Sequence, residues 1–499
     1  MNGILKRAAA AALFSALTGL LSACGGSSGS EDPTVLSATL TPAQENPPVL
    51  SSASGSASFS FFDASGALTG SATTSGVSAT AAHIHNGAAG INGPVVITLS
   101  ESSAGSGVWN VPAQTSLTPD QSAALRAGNL YVNVHSMAFP GGQIRGQIGR
   151  EVRTAIMNGS QQNSPIATSA AGNGIVSVDP KTRALSARLV TSGVVGTAAH
   201  IHSGAIGSNG AIALGLTETV PGSGIWEAPA NTVLSEALYA SFTTGGLYFN
   251  VHSAANAGGE IRGQIGLNVI DVAMSGAQEV PPVATGGSAS ARVIVNPITR
   301  ELTGTITGSG IVASAAHLHS GLFGVNAPAL ISATQATAGS ATWNLPATTL
   351  TTAQYQSLLF GNMYANMHSA AFPGGEARGQ VGKIIRTASL SAAQSVPTNT
   401  SSATGRGRTE LDPVTLALSV ALTTSGVTGT AAHIHTGASG VNGAVVLPLI
   451  QGPTNTWTAA ATTFTAEQAA SLVAGGLYFN VHSAAFPTGE IRAQINGLD

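Results

Sequence analysis

Alternation over Leu130 to Ser136 sets Val132 and Val134 on one side of a strand and Tyr131, Asn133 and His135 on the other, because successive side chains of an extended chain point to opposite faces. The valines are the natural core-facing pair. The histidine therefore looks away from the apolar interior, or into a polar edge of it. The same reasoning applied to Ala79 to His85 sends Ile84 inward and leaves His83 and His85 together on the opposite face. Runs of similar length surround these two: Ala57 to Phe62, Ala67 to Thr74, the β-branched Val95 to Leu99, and Val108 to Val111. Gly, Asn, Pro and Ser separate them, as in Asn86-Gly87 and Asn92-Gly93-Pro94. Short strands punctuated in this way predict an antiparallel sandwich or barrel. One stretch departs from the two-residue period. Thr118-Pro119-Asp120-Gln121 offers an N-cap, a proline at the first helical position and an acid in the first turn, and Gly128 stands where a left-handed residue closes a helix. A short helix is expected there, leading straight into the strand that carries His135.

The pattern then recurs. His83 and His85 are followed by His135; His200 and His202 by His252; His317 and His319 by His368; His433 and His435 by His482. These are all 12 histidines of the chain. Trp109, Trp226, Trp343 and Trp457 keep the same step, as do Gln44, Gln161, Gln278 and Gln394, and helix starts recur at Ser235, Thr351 and Thr465. The period is too long for a solenoid repeat and suits a domain with its own core. Four tandem all-β domains are expected, of immunoglobulin-like or Greek-key sandwich (barrel) type with one short helix each, over 34–150, 151–267, 268–384 and 385–499.

Composition changes the picture in two ways. Charged residues make up only 8% of the chain and the net charge is −3, against roughly 25% charged residues in ordinary soluble domains. No basic patch exists to hold nucleic acid. The surface must be polar through Ser, Thr, Asn and Gly, which fits an extracellular setting. At the N-terminus, Lys6 and Arg7 precede an apolar run from Ala8 to Leu21, the pattern of a secretory signal over 1–23. It ends in Leu21-Ser22-Ala23-Cys24, which is similar to a bacterial lipobox, and Cys24 is the chain's single cysteine. The expectation is a lipid on Cys24, a Gly/Ser tether over 24–33, and display on the bacterial cell envelope, at the outer membrane or cell surface.

The recurring histidines carry the candidate chemistry. Two histidines at i and i+2 project the same way, and a third from a neighbouring strand completes a three-imidazole set that suits zinc or copper and leaves a coordination position open. Asn133, Asn250, Asn366 and Asn480 share a face with the third histidine of their unit. Gln143-Ile144-Arg145, Glu260-Ile261-Arg262, Glu376-Ala377-Arg378 and Glu490-Ile491-Arg492 follow a few residues later. The acid and the arginine there can pair with each other, or the carboxylate can hold an imidazole N–H. Two plainer readings stand beside the metal site. The histidines bond backbone carbonyls of the following Gly-rich loop as structural clusters, or they line a site for a ligand without metal. Tyr131 and its counterparts read as packing residues, and the tryptophans as core anchors.

Ala82-His83-Ile84-His85-Asn86-Gly87, Asn92-Gly93-Pro94-Val95-Val96, Leu130-Tyr131-Val132-Asn133-Val134-His135 and Gly142-Gln143-Ile144-Arg145-Gly146-Gln147 together resemble the CHRD (chordin-type) domain, in four copies over nearly all of 34–499. Departures are local: Asn256-Ala257 in place of Phe139-Pro140, Asn326-Ala327-Pro328 in place of Asn92-Gly93-Pro94, and Gln143 where the other units have glutamate. The resemblance implies a fold like that of copper/zinc superoxide dismutase, with the three histidines similar to copper ligands and Arg145 similar to an arginine that guides the anion. It offers neither a bridging histidine nor a second metal set. The expected function is a lipid-anchored binding or scaffolding module rather than an enzyme, with an extracellular protein or glycan as ligand. The alternatives are a copper-dependent redox enzyme, and a multivalent adhesive array without metal.

Overall fold

The computed structural model describes residues 32–412, 416–453 and 455–497. The expected signal segment, Cys24 and all but the last two residues of the tether lie outside this range. The second domain shows the fold most completely. Its strands are β1 (Glu151–Asn158), β2 (Ala171–Val178), β3 (Leu185–Ser192), β4 (Gly196–Ser203), β5 (Ile212–Glu218), β6 (Ile225–Glu227), β7 (Leu247–Ser253) and β8 (Ile261–Gln264), with helix α1 (Glu236–Thr244) before β7. They close into a barrel in the order β1-β2-β3-β6-β5-β4-β7-β8, every pairing antiparallel. The crossings from β3 to β4 and from β6 to β7 make this a Greek key. The other domains keep the order. Their counterpart of β5 is broken into two pieces, as at Val95–Thr98 and Ser100–Glu101 in domain one.

Each domain has its own apolar core. In domain one the alternation holds as expected: Ile84, Leu130, Val132 and Val134 are fully buried in that core. Trp109, Trp226 and Trp457 join their cores, while Trp343 packs against its core from a half-buried position. The helix begins where expected. Thr118 accepts from the Gln121 amide and Gln121 returns the bond to the Thr118 amide, a capping box that Thr351 and Thr465 repeat. Gly128 follows the helix at φ +73°, a conformation that favours glycine.

What positions the site is the other side of β4, β7 and β8. In domain one these strands are Ala79–Asn86, Leu130–Ser136 and Ile144–Gln147. Their register places His83 opposite Asn133, which is opposite Arg145, and His85 opposite Tyr131, which is opposite Gln147. His135 lies one step further along, opposite Ala81. This outer face is not open to solvent throughout. Tyr131, Asn133, Arg145 and Gln147 are all buried, because the segment between Asn86 and Pro94 folds back over them.

Candidate metal centre

In every domain the three histidines meet. The candidate ligand nitrogens of His83, His85 and His135 lie within 4.8 Å of one another, and so do those of His200, His202 and His252, of His317, His319 and His368, and of His433, His435 and His482. Two nitrogens bound to one ion at about 2.1 Å stand at most about 4.2 Å apart, so small ring rotations are all that joint ligation asks.

Hydrogen bonds decide which nitrogens point inward. His85 Nδ1 is 2.9 Å from Gly93 O, and His135 Nδ1 is 2.9 Å from Pro140 O. A carbonyl only accepts, so both Nδ1 atoms carry the proton and both Nε2 atoms present a lone pair. The arrangement repeats in His202 with Gly210 O, His319 with Ala327 O and His435 with Gly443 O, and in His252 with Ala257 O, His368 with Pro373 O and His482 with Pro487 O. His83 Nδ1, His85 Nε2 and His135 Nε2 are buried and have no partner, and the same three atoms are unpartnered in domain two. In domains three and four the first ring closes on the third, with His317 Nδ1 3.0 Å from His368 Nε2 and His433 Nδ1 3.1 Å from His482 Nε2. Buried acceptors without donors are costly. A cation at their meeting point would satisfy all three at once.

Electrostatics favours the form that can ligate. Burial holds His83, His85 and His135 below the usual histidine range, with repulsion among the rings adding to the effect at His83 and His85. Burial does the same for His200, His202, His317, His319, His368, His433 and His435. These imidazoles are thereby kept neutral near pH 7, as metal binding requires.

The arginines stand apart from the anion-guiding role that the resemblance implies. Arg145 is 1% exposed. Its guanidinium lies 3.4 Å over the Tyr131 ring and donates to Ala88 O at 2.8 Å, Ile91 O at 3.0 Å and Asn92 Oδ1 at 3.3 Å. Those three acceptors belong to the loop whose Gly93 carbonyl holds His85. Gln147 pins the same loop, donating to Gly87 O at 2.7 Å and to Gly128 O at 2.8 Å. Arg262, Arg378 and Arg492 repeat the arrangement over Tyr248, Tyr364 and Tyr478. A buried guanidinium whose Nη atoms are given to the loop and whose plane lies over a ring is closed off from an incoming anion. Tyr131 is stacked by Arg145 from one flanking strand and by His85 from the other, the two rings 5.0 Å apart and nearly parallel. In domain one the loop is tight where it touches its own base, a Cβ on Gly93 lying 1.6 Å from Asn86 O, whereas the domain-three loop takes Ala327 at the same place.

The acids also differ from expectation. Glu260 accepts from Thr168 at 2.8 Å, Glu376 from Thr285 at 2.6 Å and Glu490 from Ser401 at 2.6 Å, while Gln143 donates to Ser51 at 2.9 Å. They tie the end of β7 and the start of β8 to the segment before β2. The imidazole N–H groups go to backbone carbonyls instead, because the loops on either side bring carbonyls closer. Asn133 stays beside His83, its Nδ2 donating to Gly141 O. One buried neighbour of Asn133 escaped the sequence reading altogether: Glu45, with Glu279 as its counterpart in domain three. The only available signal was its place after the repeated Gln44 and Gln278.

The CHRD domain family model matches residues 36–148, 153–265, 270–381 and 386–495. No curated protein matches the chain.

Proposed function

The chain belongs to the CHRD family, with four domains in tandem, and from that premise we propose that each domain is a binding module for one copper or zinc ion. His83, His85 and His135 would hold the ion in domain one, His200, His202 and His252 in domain two, His317, His319 and His368 in domain three, and His433, His435 and His482 in domain four. The observation that carries this reading is the inward set of lone pairs, two of them fixed by carbonyls that hold the opposite N–H. An all-imidazole set of three suits copper and zinc and leaves a position for an exogenous ligand. The protein's part is to fix tautomer and ring orientation through Gly93 and Pro140, and to keep the imidazoles neutral by burial.

Binding rather than redox catalysis is the better reading. Among the described residues, the arginines beside the clusters, Arg145 and its counterparts, are spent on the loop and the tyrosine rather than turned to an incoming anion. The lipid on Cys24 and display at the cell envelope belong to the same proposal, supported by the sequence of residues 1–33. Elemental analysis of the purified chain after dialysis against copper or zinc tests it. About four equivalents are expected, one per three-ligand site. No retained metal and no uptake on titration would end the proposal.

A further inference from the structure

The loop that covers the outer face turns at its tip in the same way in every domain. The Ile91 amide donates to Ala88 O, Ser208 to Ala205 O, Val325 to Leu322 O and Val441 to Ala438 O. Gly90, Gly207, Gly324 and Gly440 sit inside these turns at φ of +72° to +79°. The residue before that glycine is Ala89, Ile206, Phe323 or Ser439. The first three are half-buried and Ser439 is exposed. The backbone does not separate them, so the difference comes from what lies outside the domain.

In domains one to three the next domain lies there. A Cβ added to Gly90 would come 2.9 Å from Ile175 Cγ2 and 3.4 Å from Arg188 Cδ, on β2 and β3 of domain two. One added to Gly207 would come 4.0 Å from Arg292 Nη1 of domain three, and Nη2 of that guanidinium donates to Ser160 O of domain two. Phe323 packs against the core of domain four. Ile175 pairs with Arg188 across β2 and β3, and Arg292 with Thr305. In domain one the same two places hold Ser58 and Ser71.

A second surface agrees. The shared glutamine donates to the carbonyl five residues back in every domain: Gln44 to Thr39, Gln161 to Ile156, Gln278 to Ala273 and Gln394 to Ser389. Gln44 and Gln161 are nevertheless buried, Gln278 is half-buried and Gln394 is exposed. A small cavity beside Gln44 is lined by Arg153 of domain two and Ile298 of domain three, whereas the matching place in domain four, by Gln394 and Asn496, is an open cleft. Arg150 donates both to Ala127 O of domain one and to Ala184 O of domain two. Domain four in turn reaches domain one, with the Arg406 guanidinium 4.4 Å over the Phe139 ring.

We infer that the four domains form one docked array, in which the tip of the covering loop in domains one to three is the plug that seats the following domain. Plug and seat are matched in size. Ile175 and Arg188 receive the small tip of Ala89 and Gly90; domain four, which receives Phe323, has Ala421 in place of Arg188. Ser439, Ser58 and Ser71 lack the apolar or long side chains of the joints. Those two surfaces are caps rather than contacts between copies, as polar outer faces are in repeat arrays. The loop that makes each joint also carries the carbonyls that hold His85 and Arg145 in domain one. The array stands whether or not the clusters hold metal.

Small-angle scattering of the full chain, expressed without lipid, against its Ile206→Ser/Phe323→Ser variant tests the inference. Serine already occupies this turn position in domain four, so the turns are kept and the two circular dichroism spectra should coincide. The wild type should scatter as one compact particle. The variant's radius of gyration should be larger by about a fifth or more, as docked domains become a flexible string. Light scattering should give the mass of a single chain for the wild type. A wild type that scatters as loosely strung domains, or a folded variant of unchanged radius, would overturn the inference. Dimers or longer assemblies of the wild type would overturn the caps. Should the variant unfold, the wild-type curve decides by itself.

Discussion

The two faces of β7 are held to different standards. On the inner face the four domains carry Val132, Phe249, Ala365 and Val481's neighbour Phe479 at one position, and Ala57, Gly174, Ala291 and Gly407 at the matching position of the strand across the core. Large faces small: a Cβ on Gly174 would lie 2.3 Å from the Phe249 ring, and one on Gly407 2.3 Å from Phe479. Identity varies there, and where a phenylalanine ring fills the space in domains two and four the facing residue is glycine, as close packing requires. On the outer face Tyr, Asn and His stand unchanged in all four domains, with Arg and Gln beside them on β8. Apolar packing asks for a shape. A chain of directed hydrogen bonds that ends on three imidazole nitrogens asks for particular atoms.

Substitutions on each face should therefore fail differently. The largest loss of stability is expected from Phe249→Ala, about 3–5 kcal/mol in domain two by chemical denaturation, from the lost burial and the cavity left behind. On the outer face, Arg145→Leu strips the donors from Ala88 O and Ile91 O on the inner side of the covering loop, at about 1–3 kcal/mol for each carbonyl left dry. It should also weaken zinc binding in domain one by about tenfold to a hundredfold, because the loop carbonyl that orients His85 is released. Equal zinc affinity in the variant would remove Arg145 from the account of the site. Gly174→Ala alone should cost about 1–3 kcal/mol from overpacking, and adding Phe249→Val, which copies the pair found in domain one, should restore most of it. A double-mutant cycle without coupling would show that the inner face is not compensated as described.

Acidity sharpens the comparison from the other side. On the outer face of domain one, His83, His85 and His135 are held below their usual range by burial, so the folded state favours their neutral form. That contribution is complete above the unfolded value near 6.5 and is lost as pH falls through the lower folded values, together with any bound metal. Glu45 has the opposite sign. Its folded value of about 8 lies above the ordinary 4.5, so domain one is favoured at low pH and loses about 1.4 kcal/mol per pH unit between those two values. Glu45→Gln should flatten that slope in a pH series of denaturation curves. The smallest change of stability is expected from His135→Ala, under about 1 kcal/mol in the metal-free chain, since it removes a half-exposed ring whose inward nitrogen has no partner. Its effect on zinc in domain one should nonetheless be complete.

The inner face was readable in the sequence because alternation is a statement about burial, and Ile84, Val132 and Val134 obey it. The histidines were readable because none is used elsewhere. Their role as one cluster followed from i, i+2 geometry and from a third histidine whose strand proves to be the neighbour. The rest was hidden by the loop between Asn86 and Pro94. Alternation assigns Tyr131 and Arg145 to the outside, which is correct for the sheet and wrong for solvent, because a segment from another part of the chain roofs them over. That roof and the loop between β7 and β8 each supply one of the carbonyls which replace Glu260, Glu376 and Glu490 as partners of the imidazoles, and the roof binds the guanidinium that the family resemblance would leave free. Glu45 lies far from every histidine in sequence, and the bridge of Thr41 to Arg145 between the two sheets of domain one brings it to Asn133.

Nitrogen-resolved NMR of the imidazoles, before and after zinc, tests the central claim most directly. In the metal-free chain His85 and His135 should carry their protons on Nδ1, and zinc should then shift Nε2 of both together with Nδ1 of His83, with matching sets in the other three domains. Protons on Nε2 of His85 and His135, or zinc shifts scattered over nitrogens that do not share a centre, would contradict it.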